Sequence, residues 1–331
     1  MGLARSVPGT TGWSVRVGRS VVLRPMSGPR IAIGPRDASF AREAVVAGGG
    51  SVVEAEHDPD ALVWLDPGDP SGLSDRLALA PSVRWVQLPS AGVERVADVG
   101  LLDHDRIWTC AKGSYAEPVA EHALALALAG LRLLPTRIAA SSWGVPAGTS
   151  LYEQKVTILG GGGIARALLQ QLAPFRVETV VVRRSLEPVP GASHTVPASG
   201  LHEALPGSLL VVLALALTPG TRGVIGAPEL DLMDERAWLV NVARGGHVDT
   251  EALVACLRAG SICGAALDVT EPEPLPESHP LWDLPNCIIT PHTADTIEMV
   301  VPMLAERIRT NVSRFAAGET LVGLVDPDAG Y

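Results

Sequence analysis

The 331-residue sequence predicts an α/β protein built on two parallel sheets, and the prediction rests on how its apolar residues are spaced. Short apolar runs, closed by Gly or Pro, alternate with longer segments of helical period, first before residue 117 and again after residue 154. Such alternation is typical of parallel strands joined by helices. Hydrophobic residues make up 47% of the chain, which is enough to cover both faces of two sheets.

The candidate strands fall into two series that are separated by one long helical pattern. The first series comprises residues 30–35, 61–65, 84–88 and 107–110. The second comprises residues 155–159, 179–182, 209–215, 238–242, 264–268 and 287–290. The helical pattern between them runs from residue 117 to 140, with a break expected at Pro135. A last helix over residues 297–316 follows the second series, and we expect it to return the chain to the first domain.

Charge and cysteine spacing exclude several classes of protein. The net charge is -10 and the basic residues form no stripe, which argues against nucleic-acid binding. No run of about 18 apolar residues occurs, so we expect no membrane span. The cysteines match neither a metal pair nor a disulfide framework, and we predict buried free thiols, a cytoplasmic location and no metal. They are Cys110, Cys256, Cys263 and Cys287.

Residues 1–28 differ in composition from the rest of the chain. Arg, Gly, Ser and Pro are frequent there, and no acidic residue occurs before Asp37. A secretory signal needs a continuous apolar core of about 7–15 residues, which this segment lacks. We predict a disordered extension, explained by an upstream start codon with Met26 as the natural start, and an organellar presequence is the alternative.

A glycine-rich turn follows the first strand of the second series. Residues 160–165 read Gly-Gly-Gly-Gly-Ile-Ala, a G-x-G-x-x-A turn between a strand and a helix predicted to begin at Arg166. In such a turn the first glycine allows the tight bend, the second leaves room for a pyrophosphate, and the small last residue lets the helix pack on the strand. The turn therefore predicts a dinucleotide site, and a merely flexible turn is the alternative. The expected contacts here are Gly160, Gly162, Gly163 and Ile164.

The end of the next strand bears on which dinucleotide is bound. Folds specific for NAD usually place Asp or Glu about 20 residues after the turn, where it binds the ribose hydroxyls. This strand ends instead in Arg183, Arg184 and Ser185. Guanidinium groups suit a 2′-phosphate because they offer paired donors. We therefore predict NADP, with NAD possible and two solvated arginines as the alternative reading.

Three chemically useful side chains follow successive strands of the second series. They are Arg244, Glu273 and His292. Open α/β sheets bind ligands at the carboxyl ends of their strands. Reduction of a 2-oxo acid needs a cation for the carboxylate and carbonyl, a proton donor, and an anion beside that donor. The trio supplies these parts, although each residue alone could be an ordinary surface charge.

Several motifs in a fixed order give the chain a family resemblance. From about residue 30 to the C terminus it resembles the D-isomer-specific 2-hydroxyacid dehydrogenase family, and Arg183-Arg184-Ser185 makes it most similar to the NADP-preferring glyoxylate and hydroxypyruvate reductase branch. The segments that carry the resemblance are the glycine turn and residues 87–93, 119–122, 241–245, 267–269, 273–274, 280–282 and 290–292.

The resemblance implies a role for each site residue. Arg244 would bind the substrate carboxylate and carbonyl oxygen, and the amides of Ala91 and Gly92 would hold the carboxylate from the first domain. His292 would donate a proton to the nascent alkoxide, while Glu273 would hydrogen-bond the imidazole and keep it protonated. The remaining cofactor contacts implied are Ala216, Val242, Ala243, Asp268, His292 and Ala294.

The resemblance also implies an architecture and an activity. The substrate domain would comprise residues 29–117 and 300–331, with a cofactor domain of residues 118–299 inserted into it. The protein would be a homodimer, paired through the long helix, that reversibly reduces a small 2-oxo acid to a D-2-hydroxy acid. Asp295 stands where many relatives have Gly, and His122 is expected only to pack. A sibling such as a phosphoglycerate dehydrogenase, or a cofactor-sensing binding protein, remains as an alternative.

Overall fold

The computed structural model describes residues 25–26 and 28–331, so residues 1–24 and 27 of the predicted extension lie outside the described part. The first half of the chain forms a five-stranded parallel sheet in the order β2-β1-β3-β4-β5. Its strands are β1 (Arg30–Gly34), β2 (Ser51–Val52), β3 (Ala61–Trp64), β4 (Trp85–Gln87) and β5 (Ile107–Thr109).

The second half forms a seven-stranded parallel sheet in the order β12-β11-β10-β9-β6-β7-β8. Its strands are β6 (Lys155–Leu159), β7 (Glu178–Arg183), β8 (His194–Pro197), β9 (Ser208–Leu213), β10 (Trp238–Asn241), β11 (Gly264–Leu267) and β12 (Cys287–Ile289). The strand order reverses between β6 and β9, and such a switch point opens a crevice at the carboxyl ends of the strands. The predicted fold class, two doubly wound parallel sheets, is confirmed.

Helices cover both sheets and connect them. They are α1 (Ser39–Ala47), α2 (Pro70–Leu79), α3 (Glu94–Asp98), α4 (Ala116–Leu131), α5 (Leu134–Ile138), α6 (Gly163–Leu172), α7 (Leu201–Ala204), α8 (Ala227–Asp231), α9 (Thr250–Ala259) and α10 (Ile297–Ala317). Helix α10 packs against α1 of the first sheet through fully buried side chains such as Ile308 and Val312. The chain therefore returns to the first domain after completing the second.

Helix α4 follows the first sheet along the chain and packs closely on β10 of the second. Gly130 allows this contact, because a Cβ at that position would clash with the ring of Trp238. The helix ends at Leu131, and Leu133 takes a left-handed conformation with φ 53°. Pro135 stands in the first turn of α5, where a missing N–H costs no hydrogen bond. The helical pattern therefore breaks at Leu133, before the predicted position Pro135.

Other differences from the sequence prediction lie at edges and ends. Strands β2 and β8 were not predicted, because they are short edge strands without a continuous apolar run. Helix α6 begins at Gly163 rather than Arg166. The predicted domain limits fall inside α4 and α10, and these limits remain predictions. No helix of the described residues combines the length and apolarity that crossing a membrane requires.

The cysteines are free but not uniformly buried. Cys110 and Cys256 are buried, whereas Cys263 and Cys287 are only partly covered. The prediction of four buried thiols was therefore wrong for two of them. Cys287 begins β12, an edge strand of the second sheet, where a neighbouring strand covers one side only.

Candidate active site

The glycine turn forms a cradle at the N terminus of α6. Gly160 has φ 108°, and a Cβ there would clash with the carbonyl oxygen of Ala214, so only glycine fits. Gly162 caps α6, and no described atom lies within 4 Å of the place its Cβ would take. Ala165 is fully buried against the sheet. Open space beside a helix N terminus fits the pyrophosphate of a dinucleotide.

Gly163 meets the connection between the two sheets. A Cβ at this position would lie 3.1 Å from Ala116 Cβ and 3.2 Å from Gly113 Cα. The start of α6 therefore touches the start of α4, so Gly163 has a packing role beside its predicted cofactor contact. Ile164 is half-buried one residue later, and its cofactor contact also stays a prediction.

The predicted 2′-phosphate residues lie at the end of β7 beside this turn. The side chain of Arg183 lies against Gly161, and its Nη1 donates to the carbonyl oxygen of Glu187 at 3.2 Å. Arg184 is exposed and stacks over the ring of Tyr331, with 5.3 Å between the guanidinium carbon and the ring centroid. Ser185 is exposed next to them. The Arg183 side chain therefore stands at the edge of the phosphate cradle, whereas the Arg184 guanidinium lies over Tyr331 at the end of the same strand.

The structure brings the predicted catalytic trio to one edge of the second sheet. Arg244, Glu273 and His292 follow the neighbouring strands β10, β11 and β12. His292 Nδ1 lies 2.7 Å from Glu273 Oε1, which is a strong hydrogen-bonding distance. Because Glu273 occupies Nδ1, Nε2 is the ring nitrogen that can exchange a proton with a substrate.

The backbone of His292 is strained. Its φ is 51°, in the left-handed region that only a few per cent of residues other than Gly adopt. The amide of His292 donates to the carbonyl oxygens of Asp268 at 2.8 Å and Thr290 at 3.0 Å, which holds this conformation. Strain of this kind often accompanies functional side chains.

Asp268 is a buried carboxylate that organises the same turn. It accepts hydrogen bonds from Thr290 Oγ1 at 2.6 Å and from the amides of Thr293 and Ala294 at 2.9 and 3.1 Å. Burial acts to raise the pKa of Asp268, but hydrogen bonds from His122, Thr290 and the two amides outweigh it and hold the pKa below its usual range. The carboxylate is thus ionised and fixes the turn that carries His292.

The sequence did not predict that His122 belongs to the hydrogen-bond network of Asp268. Its Nε2 lies 3.1 Å from Thr290 Oγ1 and 3.3 Å from Asp268 Oδ1. The sequence indicates only a packing role, whereas the structure connects α4 directly to the turn after β11. A histidine in a largely apolar helix was the available signal in the sequence.

Arg244 reaches from the second sheet to the loop after β4. Its Nη1 donates to the carbonyl oxygen of Ala243 at 2.7 Å, and its Nε lies 3.4 Å from Glu94 Oε1. A Cβ on Gly92 would clash with Arg244 Nη2, so a larger residue there would displace the end of the arginine side chain. The structure therefore brings Arg244 together with the predicted substrate loop at Ala91 and Gly92. Glu94 was not predicted as a site residue.

Buried Asn241 fixes the turn on which Arg244 stands. Its Nδ2 donates to the carbonyl oxygen of Arg244 at 2.9 Å, and its Oδ1 accepts from the amide of Ala243 at 3.0 Å. The side chain is fully buried, so these bonds satisfy both of its ends. The polar residue at the end of an apolar strand thus positions the arginine.

The other predicted cofactor residues follow strands at the same edge of the sheet. Ala216 is exposed after β9, Val242 and Ala243 are buried after β10, and Ala294 is buried after β12. Their contacts with a cofactor remain predictions. Burial raises the pKa of the neighbouring Asp295, and the positive charges of His292 and Arg244 offset part of that effect. Among residues 25–26 and 28–331, no group of three His, Cys, Asp or Glu side chains could hold a metal.

Comparisons with known proteins agree with this arrangement. The family model of the D-isomer specific 2-hydroxyacid dehydrogenase NAD binding domain matches residues 123–294. A glyoxylate reductase/hydroxypyruvate reductase of Mus musculus is 31% identical over 267 residues, which make up 76% of this chain and 79% of that protein.

Two solved structures share the fold with a TM-score of 0.78. One is a D-isomer specific 2-hydroxyacid dehydrogenase from Xanthobacter autotrophicus in complex with NADPH and MES, 29% identical and covering 92% of this chain and 100% of that one. The other is an NADPH-dependent glyoxylate/hydroxypyruvate reductase from Sinorhizobium meliloti in complex with NADP and sulfate, 26% identical with the same coverage.

The chain therefore belongs to the D-isomer specific 2-hydroxyacid dehydrogenase family. It is an NAD(P)-dependent oxidoreductase. Glyoxylate and hydroxypyruvate reductases recur among its relatives, which confirms the branch that the sequence indicated.

Changing Asp268 to Asn should destabilise the protein more at neutral pH than in acid. The folded-state pKa of Asp268 is lowered, so its stabilising effect is present above the ordinary carboxyl range and is lost as pH falls through the folded pKa. We expect Asp268→Asn to lower Tm by about 5 °C at pH 7, the equivalent of about 2 kcal/mol, with a smaller difference below about pH 4.

Circular dichroism melts across this pH range give the measurement, with the exposed Asp231→Asn as the control. A Tm difference that is equal at pH 7 and in acid would contradict the assignment.

Proposed function

We propose that the protein reduces a small 2-oxo acid of the glyoxylate or hydroxypyruvate type to the D-2-hydroxy acid, reversibly and with NADPH as the preferred reductant. The observation that carries the proposal is the 2.7 Å His292–Glu273 pair on the same sheet edge as Arg244, which in turn contacts the loop at Gly92. A cation, a proton donor and an anion thus converge where open α/β sheets bind ligands.

Each residue of the trio takes one step of the reaction. Arg244 binds the substrate carboxylate together with the amides of Ala91 and Gly92, and its charge polarises the carbonyl. His292 donates a proton from Nε2 to the carbonyl oxygen and accepts one in the oxidative direction. Glu273 orients the ring by accepting a hydrogen bond from Nδ1. The bound dinucleotide supplies the hydride.

The preference for NADPH rests on the end of β7. Arg183 stands beside the phosphate cradle and the exposed Arg184 follows it in the chain, and guanidinium groups bind phosphate through paired donors. The relatives from Xanthobacter and Sinorhizobium, with NADPH and NADP bound, support the same choice.

We also propose that the protein is a homodimer and is located in the cytoplasm. The segment after α4 exposes Ile138, Trp143 and Val145, with 97% of Trp143 accessible, and an apolar surface of this kind favours a homodimer. Four free thiols are typical of the cytoplasm. Light scattering should give twice the chain mass of 34.5 kDa, and cell fractionation checks the location.

Removing the proton donor should abolish most of the reduction without loss of the cofactor. We expect His292→Ala to lower kcat for glyoxylate and hydroxypyruvate by roughly 10²–10⁴ with an unchanged Kd for NADPH, because only the general acid is lost. Steady-state kinetics and NADPH fluorescence titration measure the two quantities.

The chain offers a matched control for this variant. His202 pairs with Glu229 at the same 2.7 Å, but between α7 and α8, so His202→Ala should leave kcat unchanged. Reduction by His292→Ala at more than about a tenth of the wild-type rate would exclude the proposed role.

Removing the arginines at the end of β7 should change the cofactor preference. For the double variant with Arg183→Ala and Arg184→Ala, we expect the Kd for NADPH to rise roughly 10- to 100-fold while NADH binding is kept, because charged hydrogen bonds to the 2′-phosphate are lost. Titration with both nucleotides is the measurement, and Arg176→Ala, an exposed arginine paired with Glu153, is the control. Equal losses for NADPH and NADH would contradict a 2′-phosphate site.

A further inference from the structure

Glu94 places a carboxylate in the space where the two halves of the site meet. It is the first residue of α3, directly after the loop that contains Ala91 and Gly92. Its side chain is 26% exposed, and Oε1 lies 3.4 Å from Arg244 Nε. Oε1 also lies 2.8 Å from the place that a Cβ on Gly92 would occupy. The residue therefore lines the same space as Arg244 and Gly92.

The contacts of Arg244 show which end of its guanidinium faces this space. Glu94 lies along the Nε edge, and Nη1 donates to the carbonyl oxygen of Ala243. Nη2 lies against Gly92. A guanidinium has five N–H donors, so the Nη2 end can bind a substrate carboxylate while Nε keeps Glu94. An acid held between Arg244 and the Gly92 amide then has the Glu94 carboxylate as its immediate neighbour.

We infer that Glu94 selects the substrate by the group on its third carbon, an inference that rests on the proposed reduction of 2-oxo acids. A hydroxyl on that carbon can donate a hydrogen bond to the Glu94 carboxylate, and charge-assisted bonds are the strong ones. A second carboxylate there is repelled by like charge. A methyl group on that carbon cannot donate a hydrogen bond, so it leaves the partly buried Glu94 carboxylate without this partner. The site is therefore built for 3-hydroxy-2-oxo acids and against 2-oxo dicarboxylic acids.

The experiment compares four acids that differ only beyond the carbonyl carbon. They are glyoxylate, pyruvate, hydroxypyruvate and oxaloacetate, each assayed for kcat/KM with NADPH. Glyoxylate has no third carbon, so its kcat/KM reports any change that acts through Arg244 itself. Glu94→Gln removes the charge and keeps the shape. Asp98→Asn makes the same change at an exposed position of α3 and is the control.

The wild-type protein should prefer hydroxypyruvate to pyruvate and should reduce oxaloacetate least. In Glu94→Gln we expect the hydroxypyruvate-to-pyruvate ratio of kcat/KM to fall by roughly tenfold and the oxaloacetate-to-pyruvate ratio to rise by roughly tenfold. Glyoxylate reduction should persist. Glu94→Asp retains the charge and should keep the wild-type order of substrates.

Two results would overturn the inference in distinguishable ways. If both ratios stay within about twofold of wild type in Glu94→Gln while glyoxylate is still reduced, Glu94 does not select the substrate but the proposed function stands. If Glu94→Gln fails to fold, a wild-type protein that reduces oxaloacetate as well as hydroxypyruvate, by kcat/KM, contradicts the inference in the same way. If the wild-type protein reduces none of the four acids with NADPH or NADH, the proposed function fails and the inference fails with it.

Discussion

The buried carboxylate of Asp268 is the group on which the geometry of the site depends. Thr290, the amides of Thr293 and Ala294, and His122 of α4 all contact it. These contacts join the end of β11, the turn after β12 and helix α4. An ionised carboxylate in a buried position is stable only with such partners. Together with the backbone of Asp268, they hold His292 in its left-handed conformation against Glu273.

The site also needs both sheets. His292 and Glu273 belong to the second sheet, whereas Gly92 and Glu94 follow β4 of the first. Arg244 bridges them, and α4 and α10 are the two connections between the halves. A ligand held as proposed between Arg244 and the Gly92 amide would therefore contact residues that follow strands of both sheets. Closure of such a cleft around its ligand excludes water before hydride and proton move.

The sequence predicted those parts of the site that depend on local chemistry. Carboxyl ends of parallel strands meet at one edge, so the order of strands along the chain was enough to group Arg244, Glu273 and His292. Gly160 could likewise be assigned to a tight turn. His122 and Glu94 could not be assigned, because their contacts with Asp268 and Arg244 join residues far apart in sequence. Strands β2 and β8 were missed because edge strands need little apolar sequence.

A crystal structure of the protein with NADPH and oxamate, a 2-oxo acid analogue that cannot be reduced, would test the roles proposed for Arg244, His292 and Glu273. We expect the oxamate carboxylate to bind Arg244 and the Gly92 amide. Its carbonyl oxygen should lie within hydrogen-bonding distance of His292 Nε2, while Nδ1 keeps its hydrogen bond to Glu273. The 2′-phosphate should contact Arg183 or Arg184. Oxamate bound away from Arg244, or with His292 separated from Glu273, would contradict these roles.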